Sequence, residues 1–247
     1  MAYPSSQPSI ADSLPTVESN HSFHNRLKQL DTSLLIETTL VTIAAILAIR
    51  VLDESSASKA AWFVAPAILV AAALIPKAIR RSKFVKIGLD IKQVKVTLPL
   101  VCGTCVVVFP ATFCGLWLLK SCGLELPSRA TLPQNQQWLR WLFYQFLYVA
   151  VAEEVFFRGY VQSNILSLIN TAKGQQYRLR QWASISISAA VFAVAHTIIQ
   201  GQIISILTFL PGLILGWLFI RTRLLLAPIL FHGLANTCYF VMAALLA

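Results

Sequence analysis

The sequence predicts an all-α fold, a polytopic bundle of about seven transmembrane helices. Hydrophobic residues make up 57% of the 247 residues and charged residues only 12%, a balance typical of membrane proteins. Apolar runs close to the length of about 20 residues that is needed to cross a bilayer recur along the chain. The seven predicted spans are 34–52, 60–79, 96–119, 138–165, 182–199, 203–220 and 224–246.

The chain divides into three parts. Residues 1–30 are polar, with three prolines and many serines, and lack the apolar stretch of a cleavable signal peptide, so we expect a disordered arm. Residues 31–137 hold the first three spans and are interpreted as a scaffold. Residues 138–247 hold the last four spans, which carry the deeply placed polar groups, and are predicted to form a four-helix catalytic core.

The net charge of +10 is distributed as a topology signal. Alternate loops collect most of the basic residues, which the positive-inside rule assigns to the cytoplasmic side. The basic residues on that side are Arg26, Lys28, Lys77, Arg80, Arg81, Lys83, Lys86, Lys92, Lys95, Lys173, Arg178, Arg180, Arg221 and Arg223. The pattern predicts an integral membrane protein with a cytoplasmic N-terminus, and it argues against nucleic acid as a partner.

The fourth span carries three ionisable residues within six positions, Glu153, Glu154 and Arg158. An ionised side chain at bilayer depth costs at least about 2.5–3.5 kcal/mol, so these groups must pair or take part in chemistry. Glu154 and Arg158 are four residues apart and share a helix face, where they can neutralise each other. Glu153 is rotated by about 100° from Glu154 and suits a general base. A purely structural triad is the alternative interpretation.

Two later spans add polar residues at comparable depth. His196 lies near the end of the fifth span, and His232 and Asn236 are four residues apart on the seventh. An imidazole and a carboxamide on one helix face can both donate to an oxyanion. The alternative is hydrogen bonding between helices, which these residue types often provide in membranes.

These residues also raise the question of a cofactor. We expect none, because the paired H-E-x-x-H spacing of zinc proteases is absent. Two histidines and a glutamate are nevertheless a known set of zinc ligands, so Glu153, His196 and His232 form the alternative metal site.

Four motifs occur in order on successive spans between Trp138 and the C-terminus. They are E-E-x-x-x-R at 153–158, F-x-x-x-H at 192–196, F-x-x-G-x-x-x-G at 209–216 and H-x-x-x-N at 232–236. This set resembles the CAAX protease and bacteriocin-processing (CPBP, or ABI) family of intramembrane proteases, which includes the CAAX prenyl endopeptidases.

The resemblance implies a glutamate-type intramembrane protease. In this interpretation Glu153 activates a water with help from His196, His232 and Asn236 stabilise the oxyanion, and Glu154 with Arg158 supports Glu153. It also implies a peptide or protein substrate, which can be lipidated. The short connections resemble the prokaryotic members of the family and favour a prokaryotic cell membrane.

Two other function classes remain open. A non-enzymatic membrane scaffold or immunity factor could use the same fold, and a proton-coupled transporter could use buried Glu and His residues as a proton relay. Counting residues along straight helices places Glu153 and His232 in the cytoplasmic half of the bilayer. We therefore expect a cavity that opens to the cytoplasm, edged by Lys173, Arg178 and Arg180.

Overall fold

The computed structural model describes residues 17–55, 61–88, 90–123, 137–168 and 175–246. Within these ranges the chain forms seven helices and no strand, which confirms the predicted all-α bundle. The helices are α1 (Val17–Ser55), α2 (Ala61–Ile79), α3 (Ile91–Ser121), α4 (137–168), α5 (Gln175–Gln200), α6 (Ile203–Thr222) and α7 (Leu226–Leu246).

The first helix is longer than its apolar part. We expected residues 1–30 to be disordered, but the backbone is helical from Val17 onward, and only residues 1–16 of this arm lie outside the described residues. The expectation was wrong for 17–30 because the last proline of the arm is Pro15, and residues 16–30 contain neither proline nor glycine, which disfavour a helix.

Five helices are long and apolar enough to cross a membrane: Thr32–Glu54, Ile91–Ser121, Tyr177–Gln200, Ile203–Thr222 and Leu226–Leu246. The apolar part of α2, Phe63–Ile79, is shorter. The remaining predicted span is α4, whose helix is irregular. The chain is therefore an integral membrane protein, and its seven helices correspond to the seven predicted spans.

The outer surface of the bundle is apolar, as lipid contact requires. On α3, Val106 and Val107 are 73% and 71% exposed, and Trp117 is 57% exposed. In water such a surface would promote aggregation, whereas in a bilayer it faces the acyl chains.

Helix α4 alternates between α-helical and π-helical turns. Regular turns at Gln137–Phe143, Val151–Phe156 and Ser163–Leu168 are separated by π-helical segments at Tyr144–Ala150 and Phe157–Gln162. A π-helical turn accommodates an extra residue and often occurs at a functional site. The two glutamates of the E-E-x-x-x-R motif lie in the short α-helical piece between the π segments, where the geometry of 3.6 residues per turn applies.

The G-x-x-x-G motif of α6 packs against α5 inside the molecule. A Cβ atom on Gly212 would lie 3.1 Å from Ala189 Cβ, and one on Gly216 would lie 3.1 Å from Ile185 Cγ2, both on α5. The close approach also exposes two carbonyl groups of α6 to α4. Arg158 donates to Gly212 O (3.2 Å), and Gln162 donates to Gly216 O (3.1 Å).

A second polar cluster joins α1 and α2 to the C-terminal half of α4. Tyr160 donates a hydrogen bond to Glu37 Oε1 (3.0 Å), and Glu37 also pairs with Arg80 at 3.2 Å. Asn164 donates to Thr38 Oγ1 at 3.0 Å. These contacts satisfy polar groups inside the bundle and fix the first two helices against α4.

Candidate active site

Glu154 is the centre of a fully buried polar network. Its Oε1 atom accepts hydrogen bonds from Arg158 Nη1 at 3.0 Å and from His232 Nδ1 at 2.7 Å, and both Glu154 and Arg158 have no exposed surface. Arg158 also lies over the ring of Phe192, 4.6 Å from its centroid. The predicted Glu154–Arg158 pair is thus confirmed, and the structure adds His232 to it.

These contacts define which ring nitrogens remain available on the two histidines. A carboxylate and a backbone carbonyl can only accept, so His232 Nδ1–H donates to Glu154, and His196 Nδ1–H donates to Phe192 O at 3.0 Å. On each ring the other nitrogen, Nε2, is then free to interact with Glu153.

Both free nitrogens point to the same oxygen of Glu153. The Oε2 atom of Glu153 lies 3.7 Å from His196 Nε2 and 3.7 Å from His232 Nε2. This oxygen is buried and makes no hydrogen bond within the described part of the chain. A carboxylate oxygen and two imidazole nitrogens therefore converge on one region, at distances that allow a small polar molecule to contact more than one of them.

The structure places the side chains of the two adjacent glutamates in different surroundings, as the helical spacing predicted. Glu154 is turned into the protein interior, whereas the side chain of Glu153 is 18% exposed and lines a cavity. The separation holds because Glu153 and Glu154 lie in the α-helical piece Val151–Phe156, where consecutive side chains differ by about 100°.

Asn236 is held by a residue that the sequence analysis did not identify. Its Nδ2 atom donates to Gln145 Oε1 at 3.1 Å, and the Gln145 side chain is buried. The sequence contained a signal for Gln145, because it is the single polar amide in the apolar run 141–152. Asn236 lies one helical turn beyond His232 on the same face of α7, as expected.

A cavity of about 420 Å³ leads away from Glu153. Its walls are mainly apolar and come from α1, α2, α4 and α5, while Glu153 and His196 supply polar groups. The cavity extends to Asp53 and Gln200, which lie at the C-terminal ends of α1 and α5.

The direction of this cavity contradicts our expectation. We predicted an opening edged by Lys173, Arg178 and Arg180. Arg178 and Arg180 lie at the start of α5, whereas the cavity reaches the end of that helix. Lys173 lies outside the described residues. The prediction was wrong because it placed residues by counting along straight helices normal to the membrane. His196 lies only four residues before the end of α5, yet its Nε2 atom is 3.7 Å from Glu153 Oε2.

The residues of the alternative zinc site do not form a compact ligand set in this structure. Among the described residues, no group of three His, Cys, Asp or Glu side chains has a metal-binding arrangement. Each Nε2 atom lies 3.7 Å from Glu153 Oε2, whereas tetrahedral zinc with bonds of about 2.0–2.1 Å brings neighbouring ligand atoms to about 3.3 Å.

The described helices therefore bring two glutamates, an arginine and two histidines together inside a bundle of membrane-spanning helices. Residues 135–238 match the family model described as type II CAAX prenyl endopeptidase Rce1-like, and the match includes all six predicted site residues. This match confirms the resemblance, and the matched family implies protease activity on a peptide or protein substrate. No curated protein and no solved structure matched the chain.

Proposed function

We propose that this protein is an intramembrane endopeptidase that hydrolyses a peptide bond with a water activated by Glu153. The observation that carries the proposal is the convergence of His196 Nε2 and His232 Nε2 on Glu153 Oε2, at the inner end of the cavity. The Rce1-like match supports the same reaction class.

In this mechanism Glu153 removes a proton from the water as the water oxygen bonds to the carbonyl carbon of the substrate. The proton then passes to the leaving amine when the C–N bond breaks, so the carboxylate is restored. His196 holds the water, because its Nδ1–H is bound to Phe192 O and its Nε2 faces Glu153.

His232 and Asn236 stabilise the negative charge that develops on the substrate oxygen. His232 Nδ1 is already bound to Glu154, so only Nε2 can donate to an oxyanion, and it does so in the imidazolium form. Asn236 has a second N–H beyond the one bound to Gln145 and can supply it at the same time.

The cavity favours a substrate with an apolar group beside the scissile bond. Its walls include Ile46, Leu69, Tyr148, Phe157 and Ile199, while Glu153 and His196 lie at its end. Either an apolar side chain or a lipid attached to the substrate satisfies this environment.

Detection of cleaved products tests the proposed reaction against its rivals. Membranes from cells that produce the parent protein and the Glu153→Gln variant would be compared by mass spectrometry of newly formed peptide termini. Termini that occur only with the parent support the protease. Their absence from both samples favours a scaffold, an immunity factor or a transporter.

We expect proteolysis to survive removal of metal ions. The Glu153 carboxylate with His196 can activate water directly, and the ligand distances do not match a zinc site. The purified protein would be treated with a chelator, dialysed, analysed for metal content and assayed. Stoichiometric zinc whose removal abolishes activity and whose return restores it would contradict the proposal.

We further propose that the N-terminus is cytoplasmic, in a prokaryotic cell membrane, and that the cavity opens on the opposite side. The basic loops then face the cytoplasm, and the ends of α1 and α5 at Asp53 and Gln200 face outward.

Thiol labelling from each side of the membrane tests this orientation. In a background without the five native cysteines, Asp53→Cys and Gln200→Cys should react with a charged maleimide added from outside. Lys83→Cys, in a basic loop, should react only from the cytoplasmic side. The reverse pattern would show that the protein inserts against its charge distribution.

A further inference from the structure

Gln145 is a buried amide that contacts the candidate site through Asn236. Its side chain is 7% exposed, and its Oε1 atom accepts the hydrogen bond from Asn236 Nδ2 at 3.1 Å. No motif of the sequence analysis includes it. Burying an uncharged polar side chain in an apolar bundle costs free energy unless it is hydrogen-bonded. The folded state therefore favours the hydrogen bond between Gln145 and Asn236.

The backbone of α4 brings Gln145 to the side of the helix that carries Glu153. In a regular α-helix, the eight residues from 145 to 153 would turn the two side chains about 80° apart. Gln145 lies in the π-helical segment Tyr144–Ala150, where one extra residue is accommodated. If the π-helical turn takes up one residue, Gln145 and Glu153 are effectively seven α-helical positions apart. Their side chains then differ by only about 20° around the helix axis.

Helix α7 approaches this segment closely enough for the contact to form. Gly233 lies between His232 and Asn236, and a Cβ atom there would come within 2.5 Å of the ring of Phe146, next to Gln145. The missing side chain of Gly233 therefore lets α7 pack against the π-helical segment. Helix α7 consequently contacts α4 at two positions: His232 bonds to Glu154, and Asn236 bonds to Gln145.

The contact determines how the carboxamide of Asn236 is oriented. An asparagine side chain can exchange its oxygen and nitrogen by rotation, and only the nitrogen end donates hydrogen bonds. Gln145 Oε1 accepts one N–H, which holds the nitrogen on its side and leaves the second N–H for another acceptor. Without Gln145, the carbonyl oxygen of Asn236 could turn toward a developing oxyanion and repel it.

We propose that Gln145 is the positioning residue for Asn236 and keeps its amide ready to donate to the reaction's oxyanion. The proposal rests on the proposed protease function and specifies how the amide of Asn236 is oriented within that site. Gln145 acts through Asn236 and does not contact the substrate.

A double-mutant cycle tests the coupling between the two residues. Gln145→Met keeps the side-chain volume and removes the hydrogen-bond acceptor. We expect kcat to fall about 10–100-fold, no more than when an oxyanion donor is itself removed, while KM changes little. In the Asn236→Ala background, Gln145→Met should cause no further loss.

The assay would use a quenched fluorescent peptide that ends in a prenylated C-a-a-X sequence, the substrate type that the matched family's description names. Gln162→Met is the matched control, because Gln162 is a buried glutamine on the same helix that bonds Gly216 O instead. Its kcat per folded molecule should match the parent. If Gln145→Met does not fold, Gln145→Asn, which withdraws the acceptor, should give the same loss.

A second measurement does not require turnover. In protein labelled with ¹⁵N-asparagine, the side-chain signal of Asn236, assigned by its loss in Asn236→Ala, should shift in Gln145→Met and not in Gln162→Met. Unchanged kcat and amide signal in Gln145→Met, or a full additional loss in the double variant, would overturn the proposal. Full activity of Asn236→Ala would instead remove the oxyanion role proposed for Asn236, and the role of Gln145 with it.

Discussion

Replacement of Glu153 by alanine is expected to abolish proteolysis while the protein still inserts and folds. Loss of a general base typically lowers the rate by about 10²–10⁴-fold. Folding should be retained because Glu153 lines the cavity and its Oε2 atom makes no hydrogen bond within the described residues. Truncation therefore leaves the buried Glu154–Arg158 pair intact.

The measurement is cleavage of the prenylated reporter peptide, alongside the thermal unfolding midpoint of the purified protein in detergent. Glu153→Gln is the matched variant, since it preserves the shape and removes the ability to take up a proton. It should be as inactive as Glu153→Ala. Parent-like cleavage by either variant would exclude Glu153 as the base.

The sequence was sufficient to predict that the two adjacent glutamates face different surroundings. The prediction for Glu153 and Glu154 depended only on local helix geometry, and the chain is α-helical at Val151–Phe156. The Glu154–Arg158 contact was predictable for the same reason, because both residues lie on one helix four positions apart.

Features that depend on how helices pack could not be predicted in this way. The contact of His232 with Glu154 joins residues 78 positions apart, and the contact of Asn236 with Gln145 joins residues 91 positions apart. The second contact also requires a π-helical segment, for which the apolar run around Gln145 gives no evident signal.

The direction of the cavity was mispredicted for a related reason. Residue counts give depth only for straight helices parallel to the membrane normal, whereas helix tilt is set by packing. By the same count, His196 lies 14 residues from the predicted cytoplasmic start of its span at Trp182, whereas His232 lies only 8 residues from Leu224. The structure brings both histidines to the same oxygen of Glu153.

Replacement of Glu154 by alanine should have a different outcome, in which folding and activity are lost together. Glu154 is fully buried and compensates the charge of Arg158, which is also fully buried. Removing one partner of a buried ion pair typically destabilises a protein by about 3–5 kcal/mol, because the other charge remains without compensation. His232 would also lose the acceptor that orients its ring.

The yield of folded protein and its thermal midpoint would be measured beside activity per folded molecule. Glu54→Ala is the matched control, since Glu54 pairs with Arg50 at 2.6 Å in the same i, i+4 arrangement but is 60% exposed. An exposed pair of this kind contributes only about 0–1 kcal/mol, so this variant should remain close to the parent. If Glu154→Ala is as stable as Glu54→Ala, Arg158 does not depend on Glu154 for its compensation. The buried network would then need another anion, and Glu153 is the nearest carboxylate in the chain sequence.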